Sequence, residues 1–322
     1  MKTSPGKPFW ARLAPGKHIK RLGSRPGFTA YVLRGRPGPV AVINGATHGD
    51  EYEGPTVLRE LVDQLDPRRI CGTLVLIPVL HEEAFLAGTR GHPVDHSNLA
   101  RVFPGNPRGN HAERVADLFL RHVLRHADYY LDLHSGGVIS DLLPWCGYVV
   151  TGRPEIDRVQ AEMCTCFDDF WTWASHPAPG RTLSSAADEC VPAIYVECRG
   201  GGDVHPDDRA ALHRGLRHFL LRFRFLQGPN PRLRPTVVRI ATSKDEAHLQ
   251  VNHPAAAAGQ FLRAVTAGTV VRRGQTLGRI LPLDGSPGIT VRAHHAGTVV
   301  CVLRKRSVQV GDAIATVVPL GR

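Results

Sequence analysis

Hydrophobic and polar positions follow two different periods over roughly the first two thirds of the chain. Apolar runs with strand character occur at four places: Val40 to Asn44, Thr73 to Val79, Tyr129 to Leu133 and Ala193 to Val196. Between these runs, apolar residues recur at helical spacing in stretches that begin near Pro55, Ala112 and Asp207. Strands that alternate with helices predict an α/β domain with a largely parallel sheet.

Three other stretches have a weaker pattern. Residues 1 to about 38 are rich in proline, glycine and basic residues, and their short apolar alternation from Phe28 to Leu33 predicts an irregular lead-in with an edge strand. The polar segment from Gly88 to Asn110 predicts a long loop, and such loops are often functional. Residues 141 to 189 carry tryptophans, prolines and a glycine that suggest a structured loop over the site.

The segment from Gln227 to Pro231 has the composition of a linker, and helical spacing ends there. Short β-branched runs separated by glycines follow: Thr236 to Ile240, Phe261 to Val265, Thr269 to Val271, Gly297 to Val302 and Ala313 to Val318. We therefore predict two domains, an α/β domain over residues 1–230 and a small all-β domain over residues 231–322.

Composition narrows the class of protein. No run of eighteen apolar residues is present, and the N-terminal segment lacks the apolar stretch of a secretory signal, so we expect neither a membrane partner nor secretion. Seven scattered cysteines fit reduced thiols in the cytoplasm better than a disulfide framework, and Cys164 and Cys166 alone lack the rest of a four-ligand zinc set. The formal charge of +11 is carried mainly by arginines without any basic block, so we expect no nucleic-acid partner.

Polar residues with metal-binding chemistry stand at the ends of three of the apolar runs. His48 and Glu51 follow the first run, His134 follows Tyr129 to Leu133, and Glu197 closes the last. Ligands of open α/β sheets collect at the carboxyl ends of strands. Two histidines and one carboxylate form a three-ligand set for a catalytic zinc, and Glu197 is then a candidate base for water. Taken singly, each of these residues could equally be an ordinary polar residue at a strand end.

Four motifs in order resemble the succinylglutamate desuccinylase/aspartoacylase family of zinc-dependent, carboxypeptidase-like amide hydrolases. They are His48-Gly49-Asp50-Glu51, the segment from Asn98 to Gly105, the segment from Asp132 to Gly137, and Val196-Glu197. Gly88-Thr89-Arg90 followed by Asn98-Leu99 is most similar to the branch that deacetylates N-α-acetyl-diaminobutyrate. The resemblance implies a carboxypeptidase-like fold in residues 1–230 and a C-terminal β domain that shapes or shields the cleft.

The resemblance also assigns roles to individual residues. It implies one zinc per chain, held by His48, Glu51 and His134, with Glu197 as the base. It implies that Arg101 and Asn98 bind the substrate and that Arg90 binds the acyl carbonyl or its oxyanion. Asp132 lies two residues before His134 on the same strand face and is a candidate acceptor for a ligand imidazole; a buried carboxylate paired elsewhere is the alternative.

One position departs from the family pattern. The resembled family usually has the motif Asn-Leu-Asn-Arg or Asp-Leu-Asn-Arg. This chain has Asn98-Leu99-Ala100-Arg101 instead, and Ala100 cannot donate a side-chain hydrogen bond. We therefore expect a zinc-dependent deacylase acting on a small N-acylated amino acid, most simply an acetylated one. Two alternatives stay open: a catalytically impaired zinc- and ligand-binding protein, and a carboxypeptidase-like peptidase. The acyl group, the amino acid and assembly into a homo-oligomer are not determined by the sequence.

Overall fold

A computed structural model of the protein describes residues 7–234, 238–240 and 253–319. Six α-helices occur in this part of the chain: α1 Glu53–Gln64, α2 Glu82–Ala87, α3 His111–His122, α4 Pro154–Thr165, α5 Thr182–Asp188 and α6 Pro206–Arg222. Among the described residues, no helix has both the length and the apolar character that crossing a bilayer requires.

Ten strands are described up to residue 240, and most of them belong to one large sheet. They are β1 Gly16–Leu22, β2 Phe28–Arg34, β3 Arg36–Gly45, β4 Cys71–Ile77, β5 Tyr129–Ser135, β6 Ser140–Leu142, β7 Trp145–Val149, β8 Trp171–Ser175, β9 Ala193–Cys198 and β10 Val238–Ile240. Nine of these strands form the sheet in the order β1-β2-β4-β3-β5-β9-β7-β8-β10, and β6 is excluded. The central pairs β4/β3, β3/β5 and β5/β9 are parallel, whereas β7 runs antiparallel to β9. The prediction of a mixed, largely parallel sheet flanked by helices is confirmed.

Alternation along the central strands divides the hydrophobic core into two layers. In β3, Ala41 and Ile43 pack with α1, α4 and α6, whereas Val42 packs with α3 and α5 on the opposite face. This follows from the two-residue period of a strand, which sends successive side chains to opposite faces. Cys164 and Cys166 are buried in the first layer, and all seven cysteines of the chain are free.

The N-terminal region differs from the prediction. The alternating segment from Phe28 to Leu33 forms β2, but it is not the edge of the sheet, because β1 lies outside it in an antiparallel pair. No residue of β1 is fully buried, so its sequence carries no apolar alternation by which it could be recognised.

Among the residues described after β10, eight further strands occur, and all their pairings are antiparallel. They are β11 His253–Pro254, β12 Gly259–Arg263, β13 Val270–Val271, β14 Thr276–Pro282, β15 Ile289–Arg292, β16 Gly297–Leu303, β17 Ser307–Val308 and β18 Ala313–Val318. One sheet has the order β11-β18-β16-β13 and the other β15-β14-β12-β17, with one hydrophobic cluster formed from their residues. The predicted β structure at the C-terminal side is therefore present, and its pairing is antiparallel.

Two strands connect these sheets with the region before them. β6 pairs with β16, so residues 140–142 extend a C-terminal sheet. β10 pairs with β8, so the large sheet takes in residues beyond 230. Thr236 and Val237 of the predicted strand over 236–240 lie outside the described residues. The division at 230/231 into two domains stays a prediction.

Candidate metal centre and active-site cavity

The turn after β3 carries two of the three predicted metal ligands. β3 ends at Gly45, and the following turn brings His48 and Glu51 ahead of α1. Gly49 lets this turn lie against α2, since a Cβ atom there would be 2.0 Å from the Ala84 carbonyl carbon. The third residue, His134, stands near the end of β5, the neighbouring parallel strand.

These three side chains converge on one another. Nδ1 of His48 lies 2.8 Å from Oε1 of Glu51, and Nδ1 of His134 lies 2.9 Å from Oε2 of the same carboxylate. One ligand atom from each residue can be chosen so that all lie within 4.8 Å of one another. His48, Glu51 and His134 are almost completely buried. Two imidazoles and one carboxylate form the type of set that binds a catalytic zinc.

The outer nitrogen of each imidazole has its own oxygen partner. Nε2 of His48 lies 3.1 Å from Oδ1 of Asn98, and this oxygen also accepts the Ala100 N–H at 2.9 Å. Because an oxygen that receives the Ala100 N–H is an acceptor, Nε2 of His48 must be the donor. The lone pair of His48 then lies on Nδ1 and faces Glu51, which is the orientation a metal ligand requires.

Asp132 has the equivalent position behind His134. Its Oδ2 lies 3.1 Å from Nε2 of His134, and its Oδ1 accepts hydrogen bonds from Thr47 and Asn44 at 2.8 and 2.9 Å. The predicted contact between Asp132 and His134 is therefore present. A ligating histidine commonly donates its outer N–H to a carboxylate of this kind.

The electrostatics of the cluster also suit a cation. Burial lowers the pKa of His48 to about 4, although Glu51 acts in the opposite direction, so the ring is neutral and can act as a ligand. Burial also disfavours a charged His134, but Asp132 and Glu51 outweigh it and raise the pKa of His134 well above its usual value. Two carboxylates thus favour positive charge at this point of the protein. The residues fit a divalent metal ion in both donor type and charge.

Glu197 lies next to the cluster on the adjacent strand. His134 of β5 and Glu197 of β9 are register partners, so their backbones are side by side. Glu197 is half-buried and lines the cavity, and desolvation by the surrounding protein raises the pKa of its carboxyl group to about 8. A carboxyl group with a pKa near neutrality can both accept and release a proton.

Three arginines line the same cavity, and the sequence analysis missed one of them. Arg90 lies 3.1 Å from Oε1 of Glu51. Arg101 was expected here, but Arg181 was not. An isolated bridge between Phe103 and Gly180 holds the two loops of Arg101 and Arg181 together.

The arginines have few counter-charges of their own. Burial, then Arg181 and Arg90, lower the pKa of Arg101 to about 10, and burial also lowers the pKa of Arg181. Clustered, partly buried guanidinium groups are chemically suited to binding a carboxylate.

Asn98 has a different environment from the expected one. It was predicted to bind substrate, but its side-chain oxygen contacts His48 and the Ala100 N–H. Ala100 itself lines the cavity.

Two other carboxylates, to which the sequence analysis gave no role, stabilise the loops of the site by accepting backbone hydrogen bonds. Oδ2 of Asp50 accepts the Val138 N–H at 3.2 Å, beyond His134, and Oε1 of Glu53 accepts the Gly200 N–H at 3.1 Å, beyond Glu197. Both acids stand beside Glu51 in the chain. No local signal distinguishes them from surface acids, because their partners are distant in sequence.

The cavity has a volume of about 540 Å³. His48, His134 and Glu197 line it together with residues from the C-terminal strands and their turns, namely Cys301, Leu303, Lys305, Gly311, Asp312, Ala313, Ala315 and Thr316. The pairing of β6 with β16 brings these residues to the site, because β6 begins only a few residues after His134. The C-terminal β structure therefore contributes directly to the cavity wall.

Comparison with known proteins identifies the family to which the chain is similar. Residues 37–223 match the family model described as the succinylglutamate desuccinylase/aspartoacylase catalytic domain. This match includes all eight residues to which the sequence analysis gave a role.

Similar proteins match over nearly the whole length of the chain. The N-alpha-acetyl-L-2,4-diaminobutyric acid deacetylase of Halomonas elongata is 30% identical over 290 residues, which are 89% of this chain and 84% of that protein. The product-bound structure of the ectoine utilization protein EutE (DoeB) from Ruegeria pomeroyi is 29% identical, with a TM-score of 0.87 and 98% of both chains covered. A succinylglutamate desuccinylase structure from a Silicibacter species is 26% identical, with a TM-score of 0.86 over 98% of this chain and 99% of that one.

Proposed function

Because the chain belongs to the succinylglutamate desuccinylase/aspartoacylase family, we propose that it is a zinc-dependent amidohydrolase that removes an N-acyl group from a small amino acid. The observation that carries this proposal is the convergence of His48, Glu51 and His134 beside Glu197 at the wall of an arginine-lined cavity. Two of the relatives named above are a deacetylase and a desuccinylase, which supports the same reaction class.

The proposed metal ligands are His48, Glu51 and His134, with one zinc per chain. A zinc ion bound there would act as a Lewis acid that polarises the scissile carbonyl and makes water a better nucleophile at neutral pH. Asn98 and Asp132 would hold the two imidazoles in the ligating orientation through their outer nitrogens. We therefore assign Asn98 a positioning role in place of the expected contact with substrate.

Glu197 is the proposed general base and acid. Its carboxylate would take a proton from the attacking water and return it to the nitrogen of the leaving amine. A positioned group of this kind contributes roughly 10²–10⁴-fold to the rate. The cavity environment, which raises the pKa of Glu197, favours transient protonation of this carboxyl.

The arginines would bind the anionic and developing-anionic parts of the substrate. Arg101 and Arg181 are suited to the amino-acid carboxylate, because a guanidinium group can meet both oxygens of a carboxylate at once. Arg90, beside Glu51, is suited to the acyl oxygen as negative charge develops on it. An N-acylated amino acid matches this distribution, and its acetyl form is the simplest candidate.

The two alternative functions have less support. A peptidase must admit a polypeptide, whereas residues such as Lys305 and Asp312 from the C-terminal strands and turns line this cavity. A protein that binds zinc and ligand without catalysis would have no use for a carboxyl group at position 197. A cytoplasmic location with reduced cysteines remains part of the proposal, and its support is that all seven thiols are free. The absence of a nucleic-acid or membrane partner stays an expectation from the sequence.

Metal analysis and a substrate screen test the function together. The purified protein should contain about one zinc per chain and should release free amine from at least one N-acyl amino acid. His48→Ala and His134→Ala should each lose most of the zinc, because three protein ligands leave no redundancy. His122→Ala, at an exposed position, is the matched control and should retain it. Full zinc content in both site variants would refute the metal assignment.

A further inference from the structure

The cavity has an apolar wall for which the proposed reaction gives no role. Five of its lining residues have apolar side chains and lie around the junction of β6 and β16: Ile139, Leu142, Trp145, Leu303 and Ala313. The wall begins beside the reacting groups, because Trp145 of β7 is the register partner of Glu197. A group attached to the scissile amide can therefore reach it.

The β structure fixes this wall in place. Cys301 is paired with Leu142 and Leu303 with Ser140, so alternate residues of β16 face the same side. The Arg304 N–H donates to the Ile139 carbonyl at 2.7 Å and continues the connection beyond β6. A rigid apolar surface of this kind gives binding energy to a complementary apolar group without an ordering cost.

The charged residues of the cavity do not favour a cationic substrate side chain. Arg90, Arg101 and Arg181 lie at the polar end, where they would bind the carboxylate and the acyl oxygen. Among the described residues that line the cavity, the acids are Asp132, Glu197 and Asp312. Asp132 is bonded to His134, and Oδ2 of Asp312 accepts the Gln309 N–H in its own turn. The lining thus carries four cationic side chains, Arg90, Arg101, Arg181 and Lys305, against these three acids, so its charge disfavours a cationic substrate side chain.

The cavity is larger than a small acetylated amino acid requires. A volume of about 540 Å³ lies within the ~300–1,000 Å³ typical of sites for drug-sized ligands. An acetylated amino acid with a short side chain is much smaller than such ligands. Ala100, in place of the family's asparagine, contributes to this volume and presents no polar side chain to the cavity.

We propose that this cavity selects N-acyl amino acids that carry an unbranched apolar chain of several carbons and discriminates against those with a cationic side chain. This inference rests on the proposed deacylase function. The apolar chain could be the acyl group or the amino-acid side chain, since either is attached next to the scissile amide. Binding is expected to strengthen about fourfold for each methylene that is buried against the wall.

Two substrate series identify the position of the chain. In the first, the amino acid is kept constant and the acyl group is lengthened from acetyl through propionyl and butyryl to hexanoyl. In the second, the acetyl group is kept and the side chain is lengthened from alanine through norvaline to norleucine. We expect kcat/KM to rise about three- to fourfold per methylene in one series, and that series locates the chain. N-acetyl-norvaline should also be preferred over the nearly isosteric N-α-acetyl-2,4-diaminobutyrate.

Variants of the wall test its role. Leu303→Asn should flatten the dependence of kcat/KM on chain length, and Ala313→Leu should end the rise at a shorter chain. Leu262→Asn is the matched control, because Leu262 is an exposed leucine of the same β structure outside the cavity lining, and it should leave the dependence unchanged.

Three results would overturn the inference: a flat dependence in both series, a preference for the diaminobutyrate derivative, or a preference for succinyl over butyryl that is lost in Lys305→Ala.

To separate this inference from the reaction itself, the same series is measured as Kd by calorimetry on zinc-loaded Glu197→Gln. A chain-length dependence of Kd without turnover in the wild type would refute the deacylase function but retain the apolar site. Absence of both binding and turnover would refute both.

Discussion

The side-chain oxygen of Asn98 lies 3.1 Å from Nε2 of His48 and determines which ring nitrogen of that histidine faces Glu51. The same oxygen is held by the Ala100 N–H, so its own orientation is fixed. The loop from Asn98 to Arg101 therefore joins the metal centre to the substrate cavity, since Ala100 and Arg101 line that cavity.

Replacement of this acceptor should weaken metal binding without removing a ligand. We expect Asn98→Leu to lower zinc affinity roughly 10–100-fold, because the His48 tautomer is no longer selected. Asn98→Asp keeps an acceptor oxygen and should recover most of the affinity. Competition with a chromophoric chelator measures both values. Asn106→Leu is the control, since Asn106 caps an exposed turn of the same loop; equal affinities for Asn98→Leu and Asn106→Leu would contradict the positioning role.

Removal of the proposed base should separate zinc content from turnover. Glu197→Gln should retain zinc and lose roughly 10²–10⁴-fold in kcat, because an amide cannot accept the proton. Glu155→Gln, at an exposed position on α4, should behave like the wild type. Steady-state kinetics on the best substrate of the screen, with metal analysis of the same samples, is the measurement. A near wild-type rate for Glu197→Gln would exclude Glu197 as the base. If the wild type and Glu197→Gln are both inactive on every substrate of the screen, a ligand-binding function is favoured.

Restoration of the family's asparagine should change substrate preference. In Ala100→Asn, the new amide would add a hydrogen bond near the Arg101 site, and a bond to a charged group is worth roughly 1.5–3 kcal/mol. We expect kcat/KM for small N-acetyl amino acids to rise about ten- to a hundredfold and that for bulky substrates to fall, because the larger side chain fills space in the cavity. The same substrate panel decides the outcome for both proteins. No change on any substrate would mean that position 100 does not contact substrate, and the role of Arg101 would then also be in doubt.

A pair of stacked histidines in the C-terminal β structure should make stability depend on pH. The rings of His253 and His294 lie 4.2 Å apart, and Nε2 of buried His253 accepts the His294 N–H at 3.2 Å. Burial, then the neighbouring His294, lower the pKa of His253 to about 4, and His295 acts in the same direction. The ring is therefore neutral in the folded protein, whereas an unfolded histidine titrates near ~6.5.

The sign of this effect follows from proton linkage. Below pH ~6.5 the unfolded state binds the extra proton, so the contribution of His253 is complete above that pH and is lost as the pH falls toward about 4. The loss is at most about 1.4 kcal/mol per pH unit for one proton. We expect Tm to fall less between pH 7 and pH 5 in His253→Gln than in the wild type. His122→Gln should behave like the wild type, and an equal fall in all three proteins would show that His253 is not responsible.

Local pattern was sufficient for the elements that carry the proposed ligands. β3, β5 and β9 are apolar runs buried on both faces, and α1, α3 and α6 have apolar stripes, so their composition and period indicate them directly. Because neighbouring parallel strands end at one edge of the sheet, the proximity of His48, His134 and Glu197 could also be anticipated.

Features that depend on partners far away in the sequence could not be predicted from local patterns. β6 has three residues and exists because β16, far along the chain, pairs with it. Arg181 reaches the cavity because Gly180 bridges to Phe103, and Asn98, which caps the short 3-10 helix Leu99–Arg101, meets His48 from a long loop. None of these contacts leaves a period or composition in the local sequence, so pattern reasoning cannot detect them.

The pairing of β6 with β16 also has a consequence for the order of events during synthesis. The proposed ligands His48 and His134 emerge early from the ribosome, whereas the strand that pairs beside them and the opposite cavity wall come from residues as late as Thr316. Contacts between segments so far apart in the chain form slowly and late in folding. A nascent chain can therefore assemble the metal cluster before it can enclose a substrate, and we expect hydrolytic competence to appear only after β18 has joined β16.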